Sequence, residues 1–335
     1  MLSKNVGIDV GYGFVKATDG KGEHIFPSVV GVGQKLRYRS ELSNHRRFLD
    51  NLMVSDDGRQ FFVGDLAIRQ SEIATRSLDQ NRVQDRNVKI LFLTGVGLFA
   101  EDETQSFNVV TGLPTSYYAS YREGWQQALR GRHEIVFHLP GEDRRRTLEI
   151  GRLTVVPQPF GTLYYRVLNE RGEVADQDLA EQRVGIIDVG FKTSDFAVAD
   201  GMEFIERLSG SSGTGLSTAY SIISDRLAEE LGLHKENFEL DRVVEDGQIK
   251  IAGKVHDISW LKRETFERLA AKIITEVDSL WDYRDLDLVL VTGGGGQALA
   301  EYLLAEYDNA SLVENAQVAN VRGFLRLSNH LYQTG

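Results

Sequence analysis

Apolar and polar residues follow the same pattern at the start of each half of the chain. A strand is predicted over residues 6–10, followed by a glycine-rich turn and a second strand over residues 14–18. Beyond the middle of the chain the pattern begins again, with strands predicted over residues 184–189 and 193–199. One strand–turn–strand unit that recurs about half a chain apart indicates a duplicated domain.

The two copies also agree in sequence. Ile8-Asp9-Val10-Gly11 corresponds to Ile187-Asp188-Val189-Gly190, and Asp19-Gly20 corresponds to Asp200-Gly201. Each half therefore opens with a strand, an Asp-x-Gly turn, a strand, an Asp-Gly turn and a third strand. We expect the two copies to face each other.

In the rest of the chain, segments with helical periodicity alternate with segments typical of strands. This alternation is typical of an α/β protein. Helices are predicted over residues 66–70, 85–100, 116–129, 162–169, 216–231, 260–281, 297–306 and 323–332. Further strands are predicted over residues 60–63, 107–111, 135–139, 147–156, 202–208, 286–292 and 311–313, with hairpins near 246–247 and 253. Residues 31–80 are mostly polar and predict a small, irregular subdomain outside the core, and residues 170–182 predict a linker.

Composition narrows the class of protein. A chain of 335 residues suits two domains of ordinary size. No apolar run approaches the ~20 residues that span a bilayer, and the first residues lead directly into a strand, so we expect a cytoplasmic protein without a signal peptide or membrane partner. The chain has 0 cysteines, which excludes disulfides, thiol nucleophiles and cysteine-based metal sites.

The net charge of −11 argues against direct binding of nucleic acid. The densest basic run, Arg144-Arg145-Arg146, is flanked by Glu142, Asp143 and Glu149. This charge pattern predicts a solvated hairpin rather than a nucleic-acid-binding patch.

The two Asp-x-Gly turns carry the first candidate chemistry. A carboxylate at the end of a strand can hold hydrated Mg²⁺, which prefers few carboxylates, several waters and phosphate oxygens. Glycine beside the carboxylate lets backbone N–H groups reach a phosphate, and Lys16 can neutralise its charge. A single turn of this kind is more often a plain hairpin, but a duplicated pair favours a shared ligand.

Three other segments have both a functional and a structural interpretation. Gln158 lies in a Pro-Gln-Pro-Phe-Gly turn, where its amide could orient a water for attack on a γ-phosphate or the turn could simply begin a helix. Gly293–Gly296 follows a buried strand, and four glycines favour ligand contact over a structural turn. The loop at residues 210–215 is equally well a ligand contact or a flexible connection.

The sequence does not contain the motifs that other common kinds of functional site require. The sequence has no Gly-x-x-x-x-Gly-Lys-Ser/Thr loop and no Gly-x-Gly-x-x-Gly between a strand and a helix. The 7 histidines are scattered without metal-binding spacing, and nothing suggests a serine triad.

Taken in order, these segments resemble the five conserved blocks of the actin/Hsp70/sugar-kinase ATPase superfamily. The matching segments are residues 9–16 and 187–195 for the phosphate loops, 156–161 and 319–323 for the connectors, and 291–296 for the adenosine loop. Within the superfamily the chain is most similar to bacterial and archaeal actin-like proteins of the ParM plasmid-segregation type. The size of the chain favours a bare actin-like ATPase over an Hsp70 chaperone, which carries a further peptide-binding domain, and no sugar-kinase catalytic aspartate is recognisable.

The resemblance implies an α/β actin-like ATPase fold, with two duplicated ribonuclease-H-like domains around a nucleotide cleft. Domain I would comprise residues 1–157 plus 321–335, with a small subdomain at about 31–80. Domain II would comprise residues 172–320, with a small subdomain at about 217–275.

The implied function is hydrolysis of ATP or GTP with Mg²⁺, coupled to filament formation by the chain itself. The filaments would segregate plasmid DNA through a DNA-binding adaptor protein. The alternatives are a non-polymerising small-molecule kinase or phosphotransferase of the same fold and a nucleotide-switched scaffold with little turnover.

The resemblance also assigns residues. Asp9, Gln158 and Asp188 would be catalytic, and the two aspartates would hold the metal mainly through water. The nucleotide would contact Gly11, Tyr12, Gly13, Lys16, Gly190, Phe191, Lys192, Thr193, Gly213, Gly293, Gly294 and Gly295. Two departures from the family pattern are the bulky Phe191 and the charged Lys192 after Gly190, so either that loop is shifted or Lys192 points away from the site. A third is Gln158 where many relatives carry glutamate.

Overall fold

The computed structural model describes residues 3–34, 48–71, 74–76, 85–139 and 141–333. Part of the predicted 31–80 subdomain therefore lies outside the described residues. The chain divides into two compact units. Unit 1 comprises Met1–Leu113, Tyr117–Gln177 and Asn320–Gly335, and unit 2 comprises Pro114–Ser116 and Asp178–Ala319.

Unit 1 is built on a ten-stranded sheet. Its strands are β1 Lys4–Val10, β2 Phe14–Thr18, β3 Glu23–Pro27, β4 Val29–Val32, β5 Met53–Asp56, β6 Arg59–Val63, β7 Ala74–Arg76, β8 Thr104–Leu113, β9 Gly131–Leu139 and β10 Glu142–Pro157. Their order is β3-β2-β1-β8-β10-β9-β5-β6-β4-β7. Strands β1, β8 and β10 are parallel, and the flanking pairs are antiparallel. Three carboxyl ends therefore meet at one edge of this sheet.

Unit 2 is built on a smaller sheet with helices around it. Its strands are β11 Arg183–Val189, β12 Ser194–Asp200, β13 Glu203–Phe204, β14 Gly210–Ser212, β15 Gln248–Ile251, β16 Lys254–Asp257, β17 Leu288–Thr292 and β18 Ala310–Leu312. The main sheet has the order β13-β12-β11-β17-β18, with β14 also paired to β12, and β15 and β16 form a separate hairpin. Strands β11 and β17 are parallel, so their carboxyl ends also meet.

The helices complete both units. They are α1 Asp65–Gln70, α2 Arg86–Gly97, α3 Thr115–Leu129, α4 Phe160–Val167, α5 Gln177–Glu181, α6 Leu216–Leu231, α7 Asp241–Asp246, α8 Ser259–Asp278, α9 Gly293–Ala298, α10 Ala300–Glu306 and α11 Ala316–Leu331. Short 3₁₀ segments lie at Phe48–Asn51, Glu206–Leu208, Asn237–Glu239 and Tyr283–Asp285. Within the described residues, no helix combines the length and the apolar character that crossing a membrane requires.

Helix α2 shows why glycine occurs inside a helix of unit 1. Interior glycine lowers helix propensity by about 1 kcal/mol. A Cβ at Gly95 would lie 2.7 Å from Cδ1 of Ile8, and one at Gly97 would lie 3.0 Å from the ring of Phe137. The glycines therefore let the helix lie close against the sheet, and this packing compensates for their weak propensity.

Helices α4 and α11 make an equally close contact within unit 1. A Cβ at Gly323 would lie 1.7 Å from the carbonyl oxygen of Gly161. Beside this contact, the backbone N–H and the hydroxyl of Thr162 donate to the side-chain oxygen of Asn320 at 2.9 and 2.8 Å. The two predicted connector segments thus touch each other.

Several predictions from the sequence are wrong. The described part of residues 31–80 is not irregular, because β4, β5 and β6 join the main sheet and residues such as Val54 and Phe62 are fully buried. The predicted hairpin at 246–247 is the end of α7, where Gly247 adopts a left-handed conformation. The segment predicted as a strand over 202–208 has only two strand residues, followed by a 3₁₀ turn.

Two helices begin earlier than the sequence predicts. Helix α9 starts at Gly293, inside the glycine run, and α11 starts at Ala316, seven residues before the predicted start at residue 323. Glycine lowers helix propensity, and tertiary packing overrides that tendency here. The basic hairpin formed by β9 and β10 is confirmed, and Arg144 and Arg145 are paired with Glu142 and Glu134.

The contact between α4 and α11 predicts that Gly323→Ala destabilises the protein. A methyl group there would overlap the Gly161 carbonyl, and overpacking of this kind costs about 1–3 kcal/mol or more. Urea unfolding measures the loss. Gly151→Ala is the matched control, since a Cβ there meets nothing within 4 Å. Equal unfolding midpoints for the two variants would contradict the packing argument.

Candidate functional site

The turn between β1 and β2 carries the candidate residues of unit 1. Asp9 is 2% exposed and lies opposite Lys16, whose Nζ is 3.6 Å from a carboxylate oxygen of Asp9. The Gly11 N–H donates to the Phe14 carbonyl at 3.1 Å, and a Cβ at Gly11 would lie 2.9 Å from that same oxygen. The turn therefore requires glycine, and Lys16 supplies the countercharge that a buried carboxylate needs.

The other residues of this turn are held by Ser28. Its N–H donates to the Gly13 carbonyl at 2.9 Å, and its hydroxyl donates to the Gly11 carbonyl at 2.7 Å. Tyr12 is buried in the same turn. Both glycine carbonyls of the turn thus accept hydrogen bonds from Ser28, one from its backbone and one from its side chain.

Gln158 lies at the same edge of the sheet as Asp9. It follows β10, and the parallel pairing of β1, β8 and β10 brings their carboxyl ends together. The Gln158 N–H donates to the Leu113 carbonyl at 2.8 Å, and its carbonyl accepts from the Gly161 N–H at 3.0 Å. The backbone is therefore fixed, and the side chain is half-buried.

The turn between β11 and β12 repeats this geometry in unit 2. Asp188 is 3% exposed, and the Gly190 N–H donates to the Thr193 carbonyl at 2.8 Å. A Cβ at Gly190 would lie 2.9 Å from that oxygen, as at the first turn. The turn predicted to be duplicated is thus confirmed. Both copies are closed by the same backbone hydrogen bond, and both require glycine.

The two turns differ in the residue opposite the aspartate. Asp9 is opposite Lys16, whereas Asp188 is opposite Asp195. The same hairpin position therefore carries opposite charges in the two units.

Comparison with known protein families accounts for this duplication. A family described as the actin like proteins N terminal domain matches residues 7–161, and a family described as the archaeal actin homologue MreB-like, C-terminal, matches residues 186–305. Each match contains one of the two turns. The chain belongs to the actin-like proteins.

Solved structures similar to this actin-like protein span almost its whole length. A 15-stranded ParM filament from Clostridium botulinum contains a chain 25% identical to it, with 98% of this chain and 99% of that chain covered and a TM-score of 0.83. Ta0583, an archaeal actin homologue in complex with ADP, is 22% identical over 97% and 98% of the two chains, with a TM-score of 0.77. Bacillus thuringiensis ParM with AMPPNP is 19% identical over 99% of each chain, with a TM-score of 0.74. A search of curated proteins found no match.

The predicted actin-like ATPase fold is confirmed by these matches. The similarity extends over both halves of the actin-like protein, as the predicted duplication requires. The assignment of individual site residues stays a prediction, which the following contacts inform.

Phe191, the bulky departure from the family pattern, packs into the core of unit 2. Its ring meets the Tyr220 ring edge-on at 5.4 Å, and it is 9% exposed. Its size is therefore accommodated away from the turn, so only its backbone is left to contact a ligand. Lys192 beside it is half-buried.

The N-terminus of helix α6 is tied to the same turn. The N–H groups of Leu216 and Ser217 donate to the carbonyls of Gly190 and Phe191 at 3.2 and 2.6 Å. The first N–H groups of a helix need partners outside it. Here they bind the turn itself, so they stabilise its shape.

Close packing explains most of the glycines at the start of α9. Gly293 adopts φ of 84°, and a Cβ there would lie 2.4 Å from a carboxylate oxygen of Asp188. A Cβ at Gly295 would lie 2.5 Å from the Val189 side chain. Only Gly294 has room, with its nearest neighbour 3.8 Å away. Gly293 and Gly295 therefore reflect close packing on β11, and Gly294 is the position best placed to admit a ligand.

Asp195 is a candidate site residue that sequence reasoning missed. It is 2% exposed and accepts hydrogen bonds from the Thr115 N–H at 2.7 Å, the Thr193 hydroxyl at 3.3 Å and the Ser211 hydroxyl. Burial raises the pKa of Asp195 to about 6, and the hydrogen bonds partly oppose that rise. The sequence could have indicated this residue, because Asp195 lies opposite Asp188 in the predicted hairpin.

Glu276 is a second unpredicted residue, beside the loop that contains Gly213. The Thr214 hydroxyl donates to one carboxylate oxygen of Glu276 at 2.9 Å. The other oxygen is buried and has no hydrogen-bond partner among the described residues. A Cβ at Gly213 would meet nothing within 4 Å. Buried polar atoms are normally satisfied, so this group marks the loop as a candidate ligand contact.

The donor set fits Mg²⁺ better than a transition metal. Across the described residues, no group of three or more histidine, cysteine, aspartate or glutamate side chains is arranged to hold a metal. Mg²⁺ instead uses one or two carboxylates together with water and substrate phosphates. Asp9 in unit 1 and Asp188 in unit 2 each lie near the end of a buried strand, and each offers a carboxylate of this kind.

The packing of α9 predicts different outcomes for two neighbouring glycines. Gly293→Ala forces a Cβ against Asp188 in a backbone conformation that alanine disfavours, so it should lower the unfolding free energy by about 2 kcal/mol or more. Gly294→Ala has room and should change it by less than about 1 kcal/mol. Urea unfolding of both variants measures the difference, and the reverse order would contradict the proposed packing.

The raised pKa of Asp195 predicts a pH-dependent contribution to stability. The folded state binds this proton more tightly than the unfolded state, whose aspartate pKa is about 3.9. The contribution is fully present below pH ~4 and is lost as the pH rises through about 6. Asp195→Asn stays neutral, so its unfolding free energy relative to the parent should rise by roughly 2 kcal/mol between about pH 4.5 and 7.5.

Urea unfolding at four pH values tests this expectation. Asp200→Asn is the control, because Asp200 lies on the same strand with its side chain 55% exposed. A difference between Asp195→Asn and the parent that does not vary with pH would contradict it.

Proposed function

We propose that this actin-like protein hydrolyses ATP or GTP with Mg²⁺ and assembles into nucleotide-dependent filaments. The duplicated turn carries the proposal. Asp9 and Asp188 are both buried at strand ends, and in both turns the backbone is closed by a glycine N–H bonded to a carbonyl. Such turns offer carboxylates to a hydrated cation and close backbone approach to phosphates.

Each candidate residue has a proposed role. Mg²⁺, when bound, neutralises charge on the phosphates. Asp9 and Asp188 orient its water ligands, Lys16 contacts the phosphates, and the Gln158 amide orients the attacking water. An amide is a weak base, but water orientation requires only a hydrogen bond. The remaining proposed nucleotide contacts are Gly11, Tyr12, Gly13, Gly190, Phe191, Lys192, Thr193, Gly213, Gly293, Gly294 and Gly295.

Similarity to a filament-forming ParM over 98% of the chain supports self-association as the proposed assembly. The relatives solved with ADP and AMPPNP support nucleotide binding. For cargo we propose plasmid DNA, held through a DNA-binding adaptor, because a net charge of −11 disfavours direct contact with phosphates. The proposed domains remain residues 1–157 plus 321–335, and residues 172–320.

Sedimentation and phosphate release with Mg·ATP or Mg·GTP test this function. The parent should release phosphate and form pelletable assemblies only with nucleotide and Mg²⁺. Asp188→Ala should lower the rate of phosphate release at least ~100-fold, since it removes a proposed metal contact. Asp200→Ala, at an exposed position on the adjoining strand, should leave it unchanged.

The outcomes separate the alternatives. Unchanged phosphate release by folded Asp188→Ala would reject the site. Nucleotide turnover without assembly at any protein concentration would reject the filament. Phosphate transfer to a small molecule in place of water would favour the kinase alternative.

A further inference from the structure

Three hydrogen-bonded side chains lie on one face of the large sheet of unit 1. The Ser55 hydroxyl oxygen is 2.6 Å from Nε2 of His138, and Nδ1 of that ring is 2.7 Å from a carboxylate oxygen of Asp143. These are the contacts of a serine nucleophile, its general base and the carboxylate that orients the base. No sequence motif indicates this triad, because Ser55 and His138 are 83 residues apart.

The register of the sheet brings the three residues together. Strands β5, β9 and β10 are neighbours. His138 is directly opposite Asp143, and Ser55 is opposite Val136, two residues before His138. Side chains alternate along a strand, so Val136 and His138 share one face, while Phe137 is buried on the other. The arrangement therefore follows from strand pairing and does not depend on a mobile loop.

The Asp143 carboxylate fixes the tautomer of His138. An ionised carboxylate only accepts hydrogen bonds, so Nδ1 of His138 must carry the proton that it donates. In the neutral ring Nε2 is then unprotonated and accepts from the Ser55 hydroxyl. His138 is thus ready to take the hydroxyl proton. Its side chain is 17% exposed, whereas that of Asp143 is 67% exposed.

Ser55 also lines a cavity of about 370 Å³ whose charged lining residues are Asp56, Asp57, Glu134, Lys89, Arg132 and Arg145. The three carboxylates that line this cavity share two arginines, because Arg86 lies near both Asp56 and Asp57. The pairs are Asp56 with Arg86 at 3.1 Å, Asp57 with Arg86 at 4.0 Å, and Glu134 with Arg145 at 3.4 Å. Lys89 and Arg132 also line the cavity. Neither has a carboxylate within 4.0 Å among the described residues, so their charges are available to a ligand.

Stabilisation of an oxyanion would have to come from side chains. The backbone of Ser55 is paired with β6 on one side and β9 on the other. Gln60 is directly opposite Ser55 on β6, and its amide nitrogen is a donor of a suitable type. Because the loss of a single oxyanion-hole donor costs about 10²–10³ in rate and the Ser55 backbone is already paired, we expect slow chemistry here.

We propose that Ser55 is an activated nucleophile that accepts acyl groups from carboxylic esters whose acyl chain is negatively charged. The Ser55 oxygen attacks the ester carbonyl carbon while Nε2 of His138 takes the hydroxyl proton. The bond to the alcohol oxygen then breaks, His138 returns the proton to that oxygen, and Ser55 is left as an ester. Water, deprotonated by His138, attacks the acyl carbon and releases the carboxylic acid and the Ser55 hydroxyl. Asp143 is a positioning residue that holds the ring and stabilises the imidazolium.

Acylation of the full-length protein tests the proposal. Mono-p-nitrophenyl succinate and p-nitrophenyl acetate are the anionic and neutral probes, and mass spectrometry locates the acyl group. Ser55 should be acylated at least ~100-fold faster than Ser106, which is half-buried on β8 and bonds to Glu149 without a histidine. The succinate ester should react faster than the acetate, because of Lys89 and Arg132.

Variants assign the roles within the triad. Ser55→Ala should abolish the label, and His138→Gln should slow it at least ~100-fold. Asp143→Asn should slow it because the histidine tautomer is no longer fixed, while Asp143→Glu should retain much of the rate. If Asp143 had only a structural role, Asp143→Asn and Asp143→Glu would be acylated at similar rates. Ser106→Ala should change nothing.

A single cysteine gives a second readout that does not require acyl transfer. The chain has 0 cysteines, so Ser55→Cys introduces the only thiol. A neighbouring histidine lowers a thiol pKa, and the thiol should react with iodoacetamide at about pH 7 roughly tenfold faster than that of Ser106→Cys. Adding His138→Gln should remove this advantage. Equal reactivity of the two thiols, or an acylation rate at Ser55 equal to that at Ser106, would overturn the proposal.

Discussion

A carboxylate buried at the end of a central strand is the constraint on which the site depends. Asp9 and Asp188 are 2% and 3% exposed, and burial of a charge requires compensation nearby. Lys16 supplies it for Asp9 at 3.6 Å. Beside Asp188 the backbone of Gly293 comes so close that no Cβ fits. Gly11 and Gly190 are required by the carbonyls of Phe14 and Thr193 that close the two turns, and Gly293 is required by the Asp188 carboxylate itself.

The sequence predicts those parts of the fold that local pattern and glycine decide. Strand β2 and helix α6 have the predicted bounds of residues 14–18 and 216–231. Alternating burial defines the first, and the second ends at Gly232 in a left-handed conformation. The duplicated turns were also predictable, because an Asp-x-Gly between two apolar strands has few other structures available. The actin-like family is confirmed from those same residues.

Features that depend on strand pairing or on contacts distant in sequence were not predictable. Asp195 becomes part of the site only through its register with Asp188. Helix α11 begins before its apolar pattern does, and its contact with α4 joins residues far apart in the chain. Ser55 and His138 meet only because β5 and β9 are neighbours in the sheet. Propensity is local, whereas register is set by the whole sheet.

Calorimetric titration of Mg·ATP into the parent, Asp9→Asn and Asp188→Asn tests the central claim most directly. The proposed function assigns both aspartates to the hydrated metal of a bound nucleotide. It predicts one nucleotide per chain in the parent and binding at least about tenfold weaker in each variant, because each removes a contact to the hydrated metal. Binding as tight as the parent's in either folded variant, or a stoichiometry of two, would contradict it.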